Sequence, residues 1–85
     1  MRERAGERAL KYLETTSRSL RMLKKKKSEA PVPSSRLDHM LELARGYTQD
    51  AKHYLDKRKP VTALACIAYA EGLLDALKFL ELAEF

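Results

Sequence analysis

Three groups of side chains in this 85-residue chain have types and spacings that could do chemistry. The first is the run Lys24, Lys25, Lys26 and Lys27, preceded by Arg18 and Arg21. Such a cluster can attract phosphate groups or a nucleic-acid backbone through its field. On a helix, however, four successive lysines point in all directions. Cations at a helix C-terminus also complement the helix dipole while staying solvated. The second group is Glu71 and Asp75, four residues apart, which on a helix share one face and could hold a metal or share a proton. Metal sites in helical bundles draw carboxylates from several helices and add a Glu-x-x-His pair; no histidine accompanies these two. A solvated stripe or pairing with a basic neighbour is the simpler reading. The third group is Asp50, His53 and Asp56, with His39 three residues before Glu42. A spacing of three drifts around a helix over two turns, so these read as a solvent face.

The remaining reactive groups are few. Cys66 is the only cysteine, so it has no internal disulfide partner and no paired metal-ligand spacing. It reads as a small buried hydrophobe in a reduced, cytoplasmic setting. Tyr12, Tyr47, Tyr54 and Tyr69 read as core-edge residues with their hydroxyls toward water. No catalytic constellation converges, so the expectation is a non-enzymatic protein with no cofactor and no metal, Glu71 and Asp75 being the weak metal candidates.

The elements that must carry these groups are helical. Hydrophobic residues make up 45% and charged residues 34%, the balance of a soluble globular chain. One domain over residues 1–85 is expected, interrupted by a Pro/Ser-rich connection at 28–35. Charge is uneven: residues 1–36 hold 11 Lys/Arg against 4 acids, residues 37–85 hold 6 against 8. The first ten residues, MRERAGERAL, lack the apolar run of a signal peptide, and Glu71 and Asp75 interrupt the nearest candidate for a membrane span. No membrane partner is expected. Asn is absent and Gln49 is the only Gln, a thermophile-like composition.

Periodicity predicts an all-α, antiparallel up-and-down three-helix bundle with helices at about 2–27, 36–57 and 61–83. The first stripe, Ala5, Ala9, Leu13, Thr16, Leu20 and Leu23, is thin, and Gly6 weakens its first turn. Pro31 and Pro33 break the chain, and Ser34 or Ser35 offers an N-cap for the second helix. That helix carries the cleanest face: Leu37, Met40, Leu41, Ala44, Thr48, Ala51 and Leu55. Pro60 suits the first position of the third helix. Nothing alternates like a strand.

The third helix is apolar over more of its circumference than the usual sector. Cys66, Tyr69, Leu73, Ala76 and Leu80 make a seam bracketed by Ala65 and Leu77, while Glu71, Asp75 and Lys78 mark a wet stripe. Apolar flanks remain at Ile67 and Leu74 on one side and at Ala68 and Phe79 on the other. Ala68, Gly72 and Ala76 form a row of small residues that another helix could approach. The interface candidates are therefore Ile67, Ala68, Gly72, Leu74 and Phe79, and the expected partner is a protein or a second copy of the chain, possible as a dimer. Nucleic acid is the less favoured alternative.

The segment YLDKRKPVTALACIAYAEGLLDAL, Tyr54–Leu77, resembles the short archaeal proteins grouped as domain of unknown function 357, most of all over Ala63–Leu77. Tyr47, Asp50, Ala51 and Tyr54 resemble the family's aromatic-then-Asp-Ala pattern. The resemblance implies an up-and-down three-helix bundle and an archaeal source, and no reaction. It also hints at an accessory role, because the helical domain is sometimes joined to nucleotidyltransferase-like domains. One departure stands out: family members tend to carry Gly-Asp where this chain has Arg58-Lys59.

Overall fold

The computed structural model describes residues 4–26 and 32–85. Three helices pack against one another: α1 Ala5–Met22, α2 Ser34–Asp56 and α3 Pro60–Phe79. Two short segments, β1 Lys24–Lys25 and β2 Ala83–Glu84, pair as an antiparallel ladder. The all-α three-helix fold is the one periodicity predicts, while the two-strand ladder is a feature it did not.

The core has two layers. Leu37, Leu41 and Ala44 from the first half of α2 meet Leu74 and Leu77 from the second half of α3. Ala51 from the second half of α2 meets Ile67 and Ala70 from the first half of α3, with Tyr12 and Leu13 of α1 against them. The α1 stripe is as thin as its composition suggests: only Ala9 and Thr16 on it are buried. Alanines at the contacts let the helices approach closely, so little side-chain volume closes the upper layer. Thr48, buried on α2, satisfies its hydroxyl by donating to the Ala44 carbonyl at 2.7 Å.

Helix ends depart from expectation in instructive ways. α1 stops at Met22 rather than running to residue 27, because Leu23 turns extended (ψ 130°) and packs half-buried onto the lower core layer. Lys24 and Lys25 are therefore on a strand, not on a helix. Lys24 lies opposite Glu84 and Lys25 opposite Ala83, and the Lys26 N–H donates to the Leu82 carbonyl at 3.0 Å. The reward for this exchange is burial of Leu82 and Ala83, which cap the bottom of the core. At the start of α2, the Pro33 carbonyl accepts from the Arg36 and Leu37 N–H groups, so Pro33 and not a serine holds the cap position. Pro60 opens α3 as its fixed φ predicts.

Both α2 and α3 end in the same hydrogen-bond pattern. After α2, the Lys59 N–H donates to the Tyr54 carbonyl (2.8 Å) and the Arg58 N–H to that of Leu55 (3.0 Å). After α3, the Leu82 N–H donates to Leu77 (2.9 Å) and the Glu81 N–H to Lys78 (3.0 Å). This is the Schellman motif, which requires a left-handed residue just past the helix. Arg58 (φ 59°) and Glu81 (φ 58°) occupy that position. At the second motif the accompanying apolar contact is present, since Leu77 and Leu82 are both buried in one cluster. A side chain in the left-handed region costs about 1–2 kcal/mol, of which glycine's greater chain entropy takes back part. Arg58→Gly and Glu81→Gly are each expected to raise stability by about 0.5–1 kcal/mol, or roughly 4 °C in Tm, read by thermal melting. A fall in Tm for both would contradict the left-handed assignment.

Candidate functional site

The phase of α3 decides what the molecule can offer a partner. Its buried residues are Ala63, Ile67, Ala70, Leu74 and Leu77, spaced four, three, four and three. Of the seam expected from periodicity, only Leu77 is buried; Tyr69, Leu80 and Ala65 face solvent, and Cys66, Leu73 and Ala76 are half-buried. Ile67 and Leu74, expected as apolar flanks open to a partner, are instead 0% and 2% exposed and form the core itself. They are not available to a partner while the monomer is intact. The physical reason is that α3 is apolar nearly all round, so its own pattern does not set its rotation. The residues opposite set it: Ala51 of α2 leaves room for Ile67, and Leu37 and Leu41 meet Leu74 and Leu77.

The rotation turns another apolar face outward. Phe79 is 87% exposed and Val61 71%, with Ala65, Ala68 and Gly72 exposed between them along the same side. Tyr69 and Leu80 border this strip toward α2. Ala68, Gly72 and Phe79 thus lie on the surface, joined by Val61, Ala65, Tyr69 and Leu80. No heavy atom comes within 4 Å of a Cβ built on Gly72, so packing inside the monomer does not demand a glycine there. Gly46 on α2 has equal space, in a depression it shares with Glu42, Leu43, Arg45, Tyr47, Gln49 and Asp50.

Asp75 and Lys78 are exposed and Glu71 is half-buried, along the side of α3 nearer α1. Glu71 and Asp75 turn toward α1, where they line a cleft of about 170 Å³ with Thr15, Thr16, Ser19 and Phe85. The Lys78 ammonium sits 4.9 Å from the Phe85 ring centroid. Among the described residues, no group of three or more His, Cys, Asp or Glu side chains could hold a metal ion. The carboxylates therefore lie beside one helix pair's hydroxyls without a third ligand.

The other candidates are dispersed. His39, Glu42 and Asp50 border a shallow depression on the outer side of α2, built from that helix alone. His53 meets Tyr54 edge-on at 5.3 Å between centroids, and Asp56 is exposed. Tyr47 and Tyr69 pack at 4.5 Å across the α2–α3 seam, each partly wet. The Lys25 ammonium pairs with the Asp38 carboxylate. Lys27 lies outside the described residues. Arg18 and Arg21 line a groove that Lys52 of α2 also enters, a juxtaposition sequence spacing does not reveal.

Cys66 is half-buried beside the upper core layer. Burial pushes its thiol above the ordinary range, and the Asp50 carboxylate pushes it further the same way. Raising the pKa shrinks the thiolate fraction at neutral pH, so the group is a weaker nucleophile than a free thiol. Alkylation by iodoacetamide at pH 7.5 is expected to run slower than that of glutathione, with a rate–pH midpoint at higher pH. A midpoint below that of glutathione would contradict this environment.

One helix among the described residues, Pro60–Phe79, is long and apolar enough by composition to cross a membrane, with a mean hydropathy of 1.4 over its most apolar window. A family model described as "Protein of unknown function (DUF357)" matches residues 11–83. No curated protein and no solved structure matches the chain.

Proposed function

The chain belongs to the DUF357 family, and from that premise we propose that it works as an association module, pairing with a second copy through the outer face of α3. The observation that carries this is the exposed apolar strip from Val61 to Phe79, with small residues at its centre. Isologous pairing needs a patch complementary to itself. With two α3 helices opposed and crossing at Gly72, Phe79 of one copy falls opposite Ala65 of the other, large against small. Gly72 meets Gly72, where two backbones can approach closely.

The glycine adds a second argument. Mid-helix glycine costs about 1 kcal/mol relative to alanine, and no neighbour inside the monomer requires it. A close helix crossing supplies a reason for it. The strip is about 30 Å long and about 10 Å wide, on the order of 300 Å². That is the lower end of the range for the largest apolar patch on a typical monomer, a patch that is often functional. It falls short of the ~800 Å² each partner contributes to a stable complex, so affinity in the micromolar range is expected.

In a bilayer, the same helix would carry Glu71, Asp75 and Lys78 into hydrocarbon, each charge costing roughly 2.5–3.5 kcal/mol at mid-depth. A protein surface accommodates them at its wet edge, which favours a protein occupant. Sedimentation velocity between 1 and 100 µM tests the proposal. The weight-average mass is expected to rise toward twice the 9.7 kDa chain. A strict monomer across that range would remove self-association.

A further inference from the structure

The groove between α1 and α2 is built without any residue of α3, so it is independent of the face just described. Arg18 and Arg21 reach it from the outer side of α1 and Lys52 from α2, around a volume of about 380 Å³. All three are exposed, and no ion pair engages them within 4 Å among the described residues. Glu14 also lines the groove and offsets one of the three charges. Beyond Arg21 the chain leaves α1 and passes into β1, which carries Lys24; Lys26 follows the strand, and both are exposed. Lys25 is already committed to Asp38.

We propose that this groove binds the phosphodiester backbone of a nucleic acid. Two arginines three residues apart leave the backbone about 4.5 Å apart along the helix axis, and a guanidinium fork matches phosphate oxygens better than a point charge does. The lysine supplies a third charge from the opposite wall. The groove runs between two long helices and is open at its surface, which suits a linear ligand over a single ion. Its apolar lining is one leucine, Leu13, and no aromatic ring enters it. Bases therefore have no platform to stack on, and recognition is of the backbone, without sequence preference.

The test is fluorescence anisotropy with a labelled 20-base-pair duplex of random sequence, titrated with the full chain from 50 to 200 mM salt. Three phosphate contacts predict a slope of about −2.7 in log K against log salt. Lys52→Gln is expected to weaken binding several-fold and reduce that slope by about one. Lys59→Gln, an exposed cation after α2, is expected to leave both nearly unchanged, and circular dichroism to be unaltered in either variant. Absence of binding at 50 mM salt would overturn the proposal. So would equal losses in the two variants, which would make the attraction one of net charge alone. Inorganic phosphate that competes as well per phosphate as unlabelled duplex would overturn the backbone assignment in favour of a small phosphate ligand.

Discussion

Ile67→Ala is expected to remove about 2–4 kcal/mol of folding stability, and Phe79→Ala almost none. Ile67 is fully enclosed in the layer it forms with Ala51 and Ala70, against which Tyr12, Leu13, Tyr47 and Leu64 also pack. Truncating a buried isoleucine loses both transfer energy and the cavity term. A chain of this size has roughly 4–13 kcal/mol in all, so the variant forfeits a large share. Its Tm should fall by roughly 10–20 °C. Phe79 is larger, but almost all its ring is already in water, so the folded monomer has little to lose. The pair should be compared by urea melts at submicromolar chain concentration, where association cannot mask the difference. Equal losses in the two variants would place α3 in a different rotation from the one described.

Substitution on the outer face is expected to separate association from folding. Ala68→Glu sets a charge on an exposed apolar strip, and the two-fold relation doubles it at the interface. A Kd increase of at least ~100-fold is expected, about 2.7 kcal/mol, with the monomer's Tm nearly unchanged. Gly72→Ala should act in opposite directions on the two properties. It should raise monomer stability by about 1 kcal/mol, because the added methyl meets nothing. It should also weaken association, because it holds the two backbones apart. Gly46→Ala should match the gain in stability and leave association alone, since Gly46 lies on α2, off the outer face of α3.

Much of this fold was legible from spacing. The α2 face reads correctly because its apolar and polar residues segregate, and Leu37, Leu41, Ala44, Thr48 and Ala51 are buried as the pattern predicts. The α1 stripe and the start of α3 at Pro60 also follow from composition and φ restriction. The rotation of α3 was not legible, because a helix apolar on every side carries no phase in its own sequence. Spacing alone puts Ile67 and Leu74 on a flank open to a partner for that reason, whereas they serve the core. The strand at Lys24–Lys25 was hidden in a run that looks like a helix end. What forms it is the distant pair Leu82–Ala83, whose burial no local pattern announces. The left-handed turn at Arg58 was foreshadowed, since family members tend to place glycine there. Nothing in spacing singles out Lys52, because its charge gains meaning only beside Arg18 and Arg21, more than thirty residues away.

The most direct measurement of the central claim is intermolecular disulfide formation by an Ala68→Cys, Ala76→Cys double variant in a Cys66→Ser background, which leaves Gly72 in place. In a pairing that crosses at Gly72, Ala68 of one copy falls opposite Ala76 of the other. Axes ~8 Å apart put their Cα atoms about 5 Å apart, within the 4.4–6.8 Å a disulfide spans, whereas the two lie about 12 Å apart along one helix. At 20 µM under mild oxidation, the double variant should become a covalent dimer rapidly. A Gln49→Cys control, on the exposed side of α2, should remain largely monomeric. Equal and slow cross-linking in both variants would show that α3's outer face does not meet its counterpart, and the account of self-association would fail.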